Sequence, residues 1–277
     1  MGEFHKNIIS LYGDAGKKWI DELPEIVRSY AKKWQLHDLR VTNNLTYNYV
    51  VFIAHNAVLK IGFNQKDIQQ EIKALMHFQN IKLLRYDEHA ILMERCIPGT
   101  TLTSFVPHKD QQATDICISL MQNFYKPSNT FTQHLSDWLT IIYKDHNLNK
   151  DYLKKAQKFT DHLLNSSSET VVLHGDLHHG NILKHNERYV AIDPKGILGE
   201  RAYDIACFIR NPLEKIIKNF DLIPKRIEQF SQACAIDPVR LKQWCFLHGI
   251  LSACWRIEDH QNPKSILKFC DFIYSIL

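Results

Sequence analysis

The stretch VVLHGDLHHGN, at residues 171–181, holds the side chains of this 277-residue chain that are best suited to chemistry. Asp176 is followed five residues later by Asn181, and Asp193 comes twelve residues after that. A carboxylate can accept a proton from an attacking hydroxyl, while an amide oxygen and a second carboxylate are hard ligands that suit Mg²⁺. This order of groups predicts phosphoryl transfer from a metal-bound nucleotide.

The histidines of the same stretch allow a different chemistry. His174, His178 and His179, together with Asp176, are possible ligands of zinc or iron, so a metallohydrolase built on the histidine cluster stays an alternative. That alternative leaves the spacing of the carboxylates and the amide unexplained. Under the phosphoryl-transfer hypothesis, His174 supports the loop through hydrogen bonds, and His178 and His179 only line the pocket.

A nucleotide site of this kind also needs a cation that can reach the phosphates. Lys60 lies in AVLKIG, an apolar segment that reads as a strand. Glu71, in QQEIKAL, lies three residues after Ile68, on or near the apolar face of a helix, where an unpaired carboxylate would be unfavourable. We therefore expect Lys60 and Glu71 to form an ion pair.

The segment ILMERC is expected to contact the adenine ring of ATP. Met93 would face the ring, and the Glu94 carbonyl and the Cys96 N–H would form its hydrogen-bonding edge.

A glycine-rich turn over the phosphates is missing from the expected place, because no glycine occurs between Gly16 and Gly62. Asn43, Asn44 and Thr46, inside the glycine-free segment 41–50, could support a turn there and offer polar groups to phosphate.

The elements that would position these groups change along the chain. Residues 1–36 read as helical, with apolar side chains at steps of three and four, and Pro24 is predicted to start a second helix or kink the first. YNYVVFIAHNAVLKIGF predicts two antiparallel strands with a tight turn at His55–Asn56, and NQKDIQQEIKALMHF predicts a helix. HAILMERCIPGTTL predicts a buried strand that runs into a turn at Pro98–Gly99.

Beyond residue 108 helical patterns dominate, interrupted by the histidine-rich stretch and by a hairpin in NILKHNERYVAID. The chain is therefore predicted to be α+β, with two lobes. Residues 1–97 would form a small N-terminal lobe with a helical segment and an antiparallel nucleotide-binding sheet. Residues 98–277 would form a larger, mainly helical C-terminal lobe with the catalytic loop and the substrate pocket.

Composition narrows the class of protein further. Hydrophobic residues make up 45% of the chain, enough for real cores, but no stretch approaches the roughly 18–20 apolar residues of a membrane span. The start lacks the pattern of a secretory signal, and the seven cysteines are an odd number without a CxxC pair, so we expect a cytoplasmic protein with buried thiols. The net charge of +4 is spread along the chain, which argues against nucleic acid as a partner.

Several segments together resemble the aminoglycoside 6-phosphotransferase (streptomycin phosphotransferase) and hydroxyurea kinase family. They are GDAGKKWIDELPEIVRSYAKKWQL, AVLKIG, ILMERCIPGTTL, LHGDLHHGNIL, AIDPKGILGERAYDIA and LSACWRIEDH. The match runs in order through most of the chain, with weaker stretches around 104–165 and 214–240.

The resemblance implies a protein-kinase-like fold and transfer of the γ-phosphate of ATP to a hydroxyl of a small molecule such as streptomycin, hydroxyurea or another metabolite. A kinase-fold protein that only binds is a further alternative. The resemblance also implies roles by motif: Asp176 as catalytic base, Asn181 and Asp193 as Mg²⁺ ligands, Lys60 with Glu71 as phosphate clamp, and Asp204 as acceptor of backbone hydrogen bonds below the catalytic loop.

The acceptor pocket is expected to contain carboxylates, because streptomycin-like compounds carry guanidinium groups. In WCFLHGILSACWRIEDH, Trp255, Glu258 and Asp259 come at the end of a predicted helix, where its face can leave the core. Acidic residues near a helix C-terminus oppose the macrodipole, which indicates another reason for their presence. Glu200 is a further candidate.

Overall fold

The computed structural model describes residues 2–43 and 45–277, and the chain divides into two compact units, Met1–Gly99 and Thr100–Leu277. Asn44, which the sequence placed in the phosphate-contacting turn, lies outside the described residues. The helices and strands of the first unit are α1 (Glu3–Trp34), β1 (Arg40–Val41), β2 (Tyr49–Ile53), β3 (Ala57–Ile61), α2 (Gln65–Phe78), β4 (Leu83–Tyr86) and β5 (Ala90–Glu94).

Helix α1 is interrupted at Gly13, and the prediction that Pro24 starts a second helix was wrong. Gly13 has φ 56° and ψ −135°, a backbone conformation that glycine adopts because it lacks a Cβ, whereas Pro24 lies within the helix. The break lets Phe4 and Ile8 pack with Leu23 in one buried cluster. Gly16 is required there as well, since a Cβ at this position would lie 2.7 Å from the Ile8 carbonyl oxygen.

The sheet of the first unit has the strand order β1-β2-β3-β5-β4, with every pair antiparallel. The predicted β2–β3 hairpin is confirmed, and its turn places both His55 and Asn56 in the left-handed conformation. Lys60 stands opposite Val50 on one side and Ile91 on the other, so it occupies the middle of a three-strand ladder.

The predicted helix after the hairpin is confirmed as α2. Asn64 caps it, because its side-chain oxygen accepts a hydrogen bond from the Lys66 N–H at 3.0 Å. Its buried face carries Ile68, Ile72 and Leu75, and Glu71 lies on the same face. The turn expected at Pro98–Gly99 is instead the start of a strand, β6 (Pro98–Thr101), although Gly99 has a positive φ of 76°.

The second unit continues the chain with eight further α-helices and four further strands. They are α3 (Asp110–Met121), α4 (Leu135–Leu139), α5 (Lys150–Asn165), β7 (Val171–Leu173), β8 (Ile182–His185), β9 (Arg188–Ala191), β10 (Ile197–Gly199), α6 (Ala202–Arg210), α7 (Leu213–Ile216), α8 (Leu222–Cys234), α9 (Pro238–Glu258) and α10 (Lys264–Ser275).

Helix α9 forms the centre of the second unit. It is buried along most of its length, from Leu241 to Cys254, and it packs against α5, α6 and α10. The predicted hairpin is confirmed as β8–β9. An antiparallel pairing of β7 with β10, which the sequence did not predict, holds together the two ends of the segment 171–199. Within the described part of the chain, no helix has the length and apolar character needed to cross a membrane.

Candidate active site

Two hydrogen bonds join the two segments of the second unit that carry the predicted catalytic groups. The Ile192 N–H donates to the Asn181 carbonyl at 2.9 Å, and the His174 Nε2–H donates to the Ile192 carbonyl at 3.0 Å. Asp193, the next residue, has the left-handed φ of 62°. The loop that follows β7 and the residues at the end of β9 are therefore held side by side.

The Asn181 side chain is oriented by the loop itself. Its Nδ2 donates to the Asp176 carbonyl at 2.9 Å and lies 3.3 Å from Asp176 Oδ2. This orientation uses the amide nitrogen within the protein and leaves the amide oxygen as the group that can bind a cation. Oxygen donors from an amide and from the nearby Asp193 carboxylate are of the kind that Mg²⁺ prefers, so the residues fit the expected metal.

The Asp176 carboxylate is partly open to solvent, with 40% of its side chain exposed. His178 lies beside it: Nδ1 accepts from the Gly180 N–H at 3.0 Å, so the ring proton is on Nε2, which lies 3.6 Å from Asp176 Oδ2. The buried Cys207 thiol lies 3.8 Å from the other carboxylate oxygen. An accessible carboxylate with neighbours on both oxygens is suited to accept a proton from a bound hydroxyl.

Asp204, at the start of α6, makes the hydrogen bonds that the sequence led us to expect. Its fully buried carboxylate accepts from the His174 and Gly175 N–H groups, both at 2.8 Å. The Tyr125 hydroxyl donates to it at 3.1 Å, a contact that sequence reasoning missed. Burial raises the pKa of Asp204 to about 7, although these three hydrogen bonds act to lower it.

The histidines of the loop have protein partners instead of forming a metal cage. Burial lowers the pKa of His174 to about 4, so its ring is neutral, and its Nδ1 accepts from the Asp176 N–H at 3.3 Å. His179 is fully buried and does not line a pocket, contrary to expectation. Among residues 2–43 and 45–277, no group of three His, Cys, Asp or Glu side chains is arranged to hold a metal ion.

In the first unit, Lys60 and Glu71 form the ion pair predicted from the sequence. Lys60 Nζ lies 2.8 Å and 2.7 Å from the two carboxylate oxygens, and the side chains are only 4% and 9% exposed. Strand β3 supplies the lysine from the middle of the sheet, and the buried face of α2 supplies the glutamate. Both charges are thus kept in a place where neither would be stable alone.

The segment expected to bind adenine ends β5. Met93 and Cys96 are buried, and Glu94 is held in place by Lys82, whose N–H donates to Glu94 Oε1 at 2.8 Å and whose carbonyl accepts from the Glu94 N–H at 3.0 Å. Contact of these residues with adenine stays a prediction.

The end of α9 carries the side chains predicted to bind the acceptor. Trp255 packs edge-on against Trp138 of α4, with ring centroids 5.6 Å apart. Trp138 also approaches the catalytic loop, since its ring lies 3.4 Å from the position that a Cβ on Gly175 would take. The sequence did not indicate Trp138, which stands in a stretch where the family resemblance is weak.

The acidic side chains near Trp255 differ in their partners. Glu258 pairs with Lys144 at 2.9 Å, whereas burial and the nearby Glu258 charge raise the pKa of Asp259. Glu200 is buried and forms a bidentate ion pair with Arg240, with Arg240 Nε 2.6 Å from Glu200 Oε1. This partner accounts for the Glu200 carboxylate without a substrate.

Known proteins are similar to this chain over much of its length. A family model described as aminoglycoside/hydroxyurea antibiotic resistance kinase matches residues 50–260. A streptomycin 3''-kinase of Klebsiella pneumoniae is 31% identical over 182 residues, which cover 61% of this chain and 67% of the relative. A streptomycin 6-kinase of Streptomyces glaucescens is 23% identical over 272 residues, which cover 90% and 87% of the two chains.

Solved structures share the fold at low sequence identity. The choline kinase LicA of Streptococcus pneumoniae matches with a TM-score of 0.69 and 12% identity, over 92% of this chain and 99% of that one. An aminoglycoside phosphotransferase, APH(4)-Ia, in a ternary complex with ADP and hygromycin B matches with a TM-score of 0.63 and 12% identity, over 90% and 97%. The predicted α+β, protein-kinase-like fold is therefore confirmed.

Proposed function

Because this chain belongs to the aminoglycoside/hydroxyurea antibiotic resistance kinase family, and is thus a small-molecule phosphotransferase, we propose that it transfers the γ-phosphate of ATP to a hydroxyl of an aminoglycoside such as streptomycin. The observation that carries the proposal is a set of hydrogen bonds: Asn181 bonds the Asp176 carbonyl, and the loop that holds both residues bonds Ile192, the neighbour of Asp193. That arrangement supports positioning and charge neutralisation, which are the main demands of phosphoryl transfer.

In the proposed reaction, Asp176 accepts the proton of the acceptor hydroxyl. The hydroxyl oxygen then forms a bond to the γ-phosphorus, the bond from that phosphorus to the bridging oxygen breaks, and ADP leaves with the bridging oxygen. Asn181 and Asp193 would hold Mg²⁺, which when bound neutralises charge on the phosphate oxygens. His178 Nε2–H lies beside the proposed base, 3.6 Å from Asp176 Oδ2.

Lys60 is proposed to contact the α- and β-phosphates through its ammonium, with Glu71 holding that ammonium in place. Met93, with the Glu94 carbonyl and the Cys96 N–H, is proposed to receive adenine. A lysine suits the phosphate role because its charge is compact and its stem is flexible.

For the acceptor, we propose a pocket that includes Trp138, Trp255 and Asp259. Trp138 approaches Gly175, which precedes the proposed base, and Trp255 connects Trp138 to the acidic end of α9. Burial and the Glu258 charge raise the pKa of Asp259, because both disfavour its negative charge. A guanidinium group of the acceptor would stabilise that charge. This reasoning favours a cationic acceptor over neutral hydroxyurea.

The test is a panel of acceptors that contains streptomycin, other aminoglycosides and hydroxyurea, each with ATP and Mg²⁺. We expect acceptor-dependent ADP release and a product heavier by one phosphoryl group. Asp176→Asn serves as the blank and should lower kcat roughly 10²- to 10⁴-fold. Full activity in Asp176→Asn, or ADP release that no acceptor accelerates, would overturn the proposed reaction.

The same panel decides the class of acceptor. Asp259→Asn should raise the KM for streptomycin roughly tenfold, the value of one charge-assisted hydrogen bond, and leave the KM for hydroxyurea unchanged. Asp221→Asn, which removes an exposed carboxylate paired with Lys225, is the matched control. Hydroxyurea as the preferred acceptor would show that the pocket serves the other substrate named by the family.

A further inference from the structure

Arg226, on α8, places a permanent charge in the interior of the second unit. Its side chain is 0% exposed, and all of its donor nitrogens have partners. Nε donates to Asp110 Oδ2 at 3.0 Å, and Nη2 contacts the other carboxylate oxygen of the same residue. Asp110 is itself buried, with 7% exposed, so the pair is neutralised inside the protein.

The Arg226 guanidinium also caps the C-terminus of α6. Arg226 Nη1 donates to the carbonyl oxygens of Phe208, Ile209 and Asn211, at 3.0 Å for the first and 2.9 Å for the second. A cation at a helix C-terminus satisfies carbonyls that have no partner within the helix and complements the helix dipole. The other end of α6 carries Asp204, the carboxylate that accepts hydrogen bonds from the catalytic loop.

Arg226 also reaches the catalytic loop directly. Its Nη2 lies 3.2 Å from His179 Nε2, and the His179 ring stacks on Phe208 with centroids 3.8 Å apart. Because a guanidinium can only donate, His179 Nε2 accepts this hydrogen bond. His179 stands between Asp176 and Asn181 in the sequence.

Simple packing is a poor account of this histidine. With Nε2 accepting, the ring proton lies on Nδ1, which is buried and has no hydrogen-bond partner among the described residues. A buried donor without an acceptor destabilises the folded protein, whereas leucine would fill a similar space without that penalty. The contact with Arg226 supplies a reason for an imidazole at this position.

We infer that Asp110, Arg226 and His179 act as positioning residues, which hold the catalytic loop against α6 and so keep Asn181 and Asp176 in register for metal binding and proton transfer. The inference rests on the proposed function for the roles of Asn181 and Asp176. It goes beyond that function because none of the three residues touches substrate or metal.

The experiment compares His179→Leu, which removes the acceptor, with His179→Gln, which can present an oxygen to Arg226. His146→Leu is the matched control, because His146 is another buried histidine whose Nε2 donates to a backbone carbonyl, that of Ile141, at 2.8 Å. For each full-length variant, three quantities are measured: kcat in the acceptor assay, the Mg²⁺ concentration at half-maximal rate, and amide hydrogen exchange in residues 174–181.

We expect His179→Leu to lower kcat or to raise the Mg²⁺ requirement roughly 10- to 100-fold, as with other residues that orient a metal ligand from behind. Its loop amides should exchange faster than those of the wild type. His179→Gln should recover most of both losses, and His146→Leu should match the wild type in the loop even where it lowers stability.

Wild-type kinetics and wild-type loop exchange in His179→Leu would overturn the inference, as would equal defects in the Leu and Gln variants. Hydrogen exchange separates this inference from the proposed function. A wild-type protein that transfers no phosphate to any acceptor would end the proposed reaction, while faster loop exchange in His179→Leu alone would still establish the positioning contact.

Discussion

Lys60 with Glu71 in the first unit and Arg226 with Asp110 in the second are both buried ion pairs, and they differ in what surrounds the cation. Lys60 and Glu71 join adjacent elements, β3 and α2, and lie eleven residues apart in the chain. Arg226 and Asp110 lie 116 residues apart, and the guanidinium also bonds three carbonyls and an imidazole. The compact Lys60 ammonium on its flexible side chain suits a group that binds a ligand. The rigid Arg226 guanidinium, with all its donors in hydrogen bonds, suits a structural support. Burial alone therefore does not identify a functional charge.

Removal of the Arg226 guanidinium should have the largest effect on the free energy of unfolding. Arg226→Met leaves Asp110 buried without its cation and the end of α6 without its cap, so we expect the free energy of unfolding to fall by roughly 3–5 kcal/mol. Urea denaturation measures this change. The double variant Arg226→Met/Asp110→Leu should recover a large part of the loss, because it removes the unpaired carboxylate. A loss below about 1 kcal/mol in the single variant would contradict the role of a structural support.

Removal of the ammonium should affect activity first. Lys60→Met is expected to lower kcat/KM roughly 100-fold or more, because it removes a cation from the proposed phosphate site. The double variant Lys60→Met/Glu71→Gln is the control: it should regain the stability lost with the unpaired Glu71 and remain inactive. Activity that returns together with stability would mean that Lys60 is a structural residue, like Arg226.

Asp204 is a third kind of buried charge, held by N–H and O–H donors instead of a cation. As pH falls through about 7 its carboxylate takes up a proton and loses an acceptor for the loop, so activity should decline on the acid side. Tyr125→Phe removes a hydrogen bond that lowers the pKa of Asp204, and should move this decline to higher pH, by up to about one unit.

The pH dependence of stability from Asp204 has the opposite sign. Because the pKa of Asp204 in the folded protein lies above its ordinary value of 3.8, the folded protein holds a proton that the unfolded chain releases. The contribution of Asp204 to stability therefore falls as pH rises from about 4 to 7. A kcat profile that is identical in the wild type and Tyr125→Phe would assign the acid limb to another group.

The exposed ion pair between Lys144 and Glu258 provides the lower limit of the comparison. Its side chains are 61% and 43% exposed, so Lys144→Gln should change the free energy of unfolding by about 0–1 kcal/mol, and less at high salt. Denaturation at low and high salt checks both statements. A loss as large as that of Arg226→Met would mean that exposure does not separate structural pairs from minor ones.

Sequence reasoning succeeded where the physical signal was local. The β-branched residues around His55 and Asn56 predicted the β2–β3 hairpin. The pair of Lys60 with Glu71 was predicted because each charge stands among apolar residues. It failed where two signals competed or none was present. Proline disrupts helices, so the sequence predicted a new helix at Pro24, whereas the interruption lies at Gly13. The pattern of apolar residues does not show which glycine adopts a non-helical conformation.

The contacts that the sequence did not reveal all span long separations. Trp138 reaches Gly175, Tyr125 reaches Asp204, and Arg226 reaches both Asp110 and His179. An aromatic or basic residue in an amphipathic helix has the same local pattern whether it faces solvent, core or a catalytic loop. Glu200 is the opposite case: the sequence proposed its carboxylate for the acceptor pocket, and in the structure it pairs with Arg240.

By itself, the sequence determined the two hairpins and the types and spacing of the reactive groups, because these depend on neighbouring residues and on short periodic patterns. Only the tertiary structure decided that Arg226 neutralises Asp110 and that Arg240 neutralises Glu200. It also decided which histidine accepts from Arg226 and that Tyr125 donates to Asp204. Those outcomes depend on desolvation and on donors that the folded chain brings together from distant positions, and no local pattern records them.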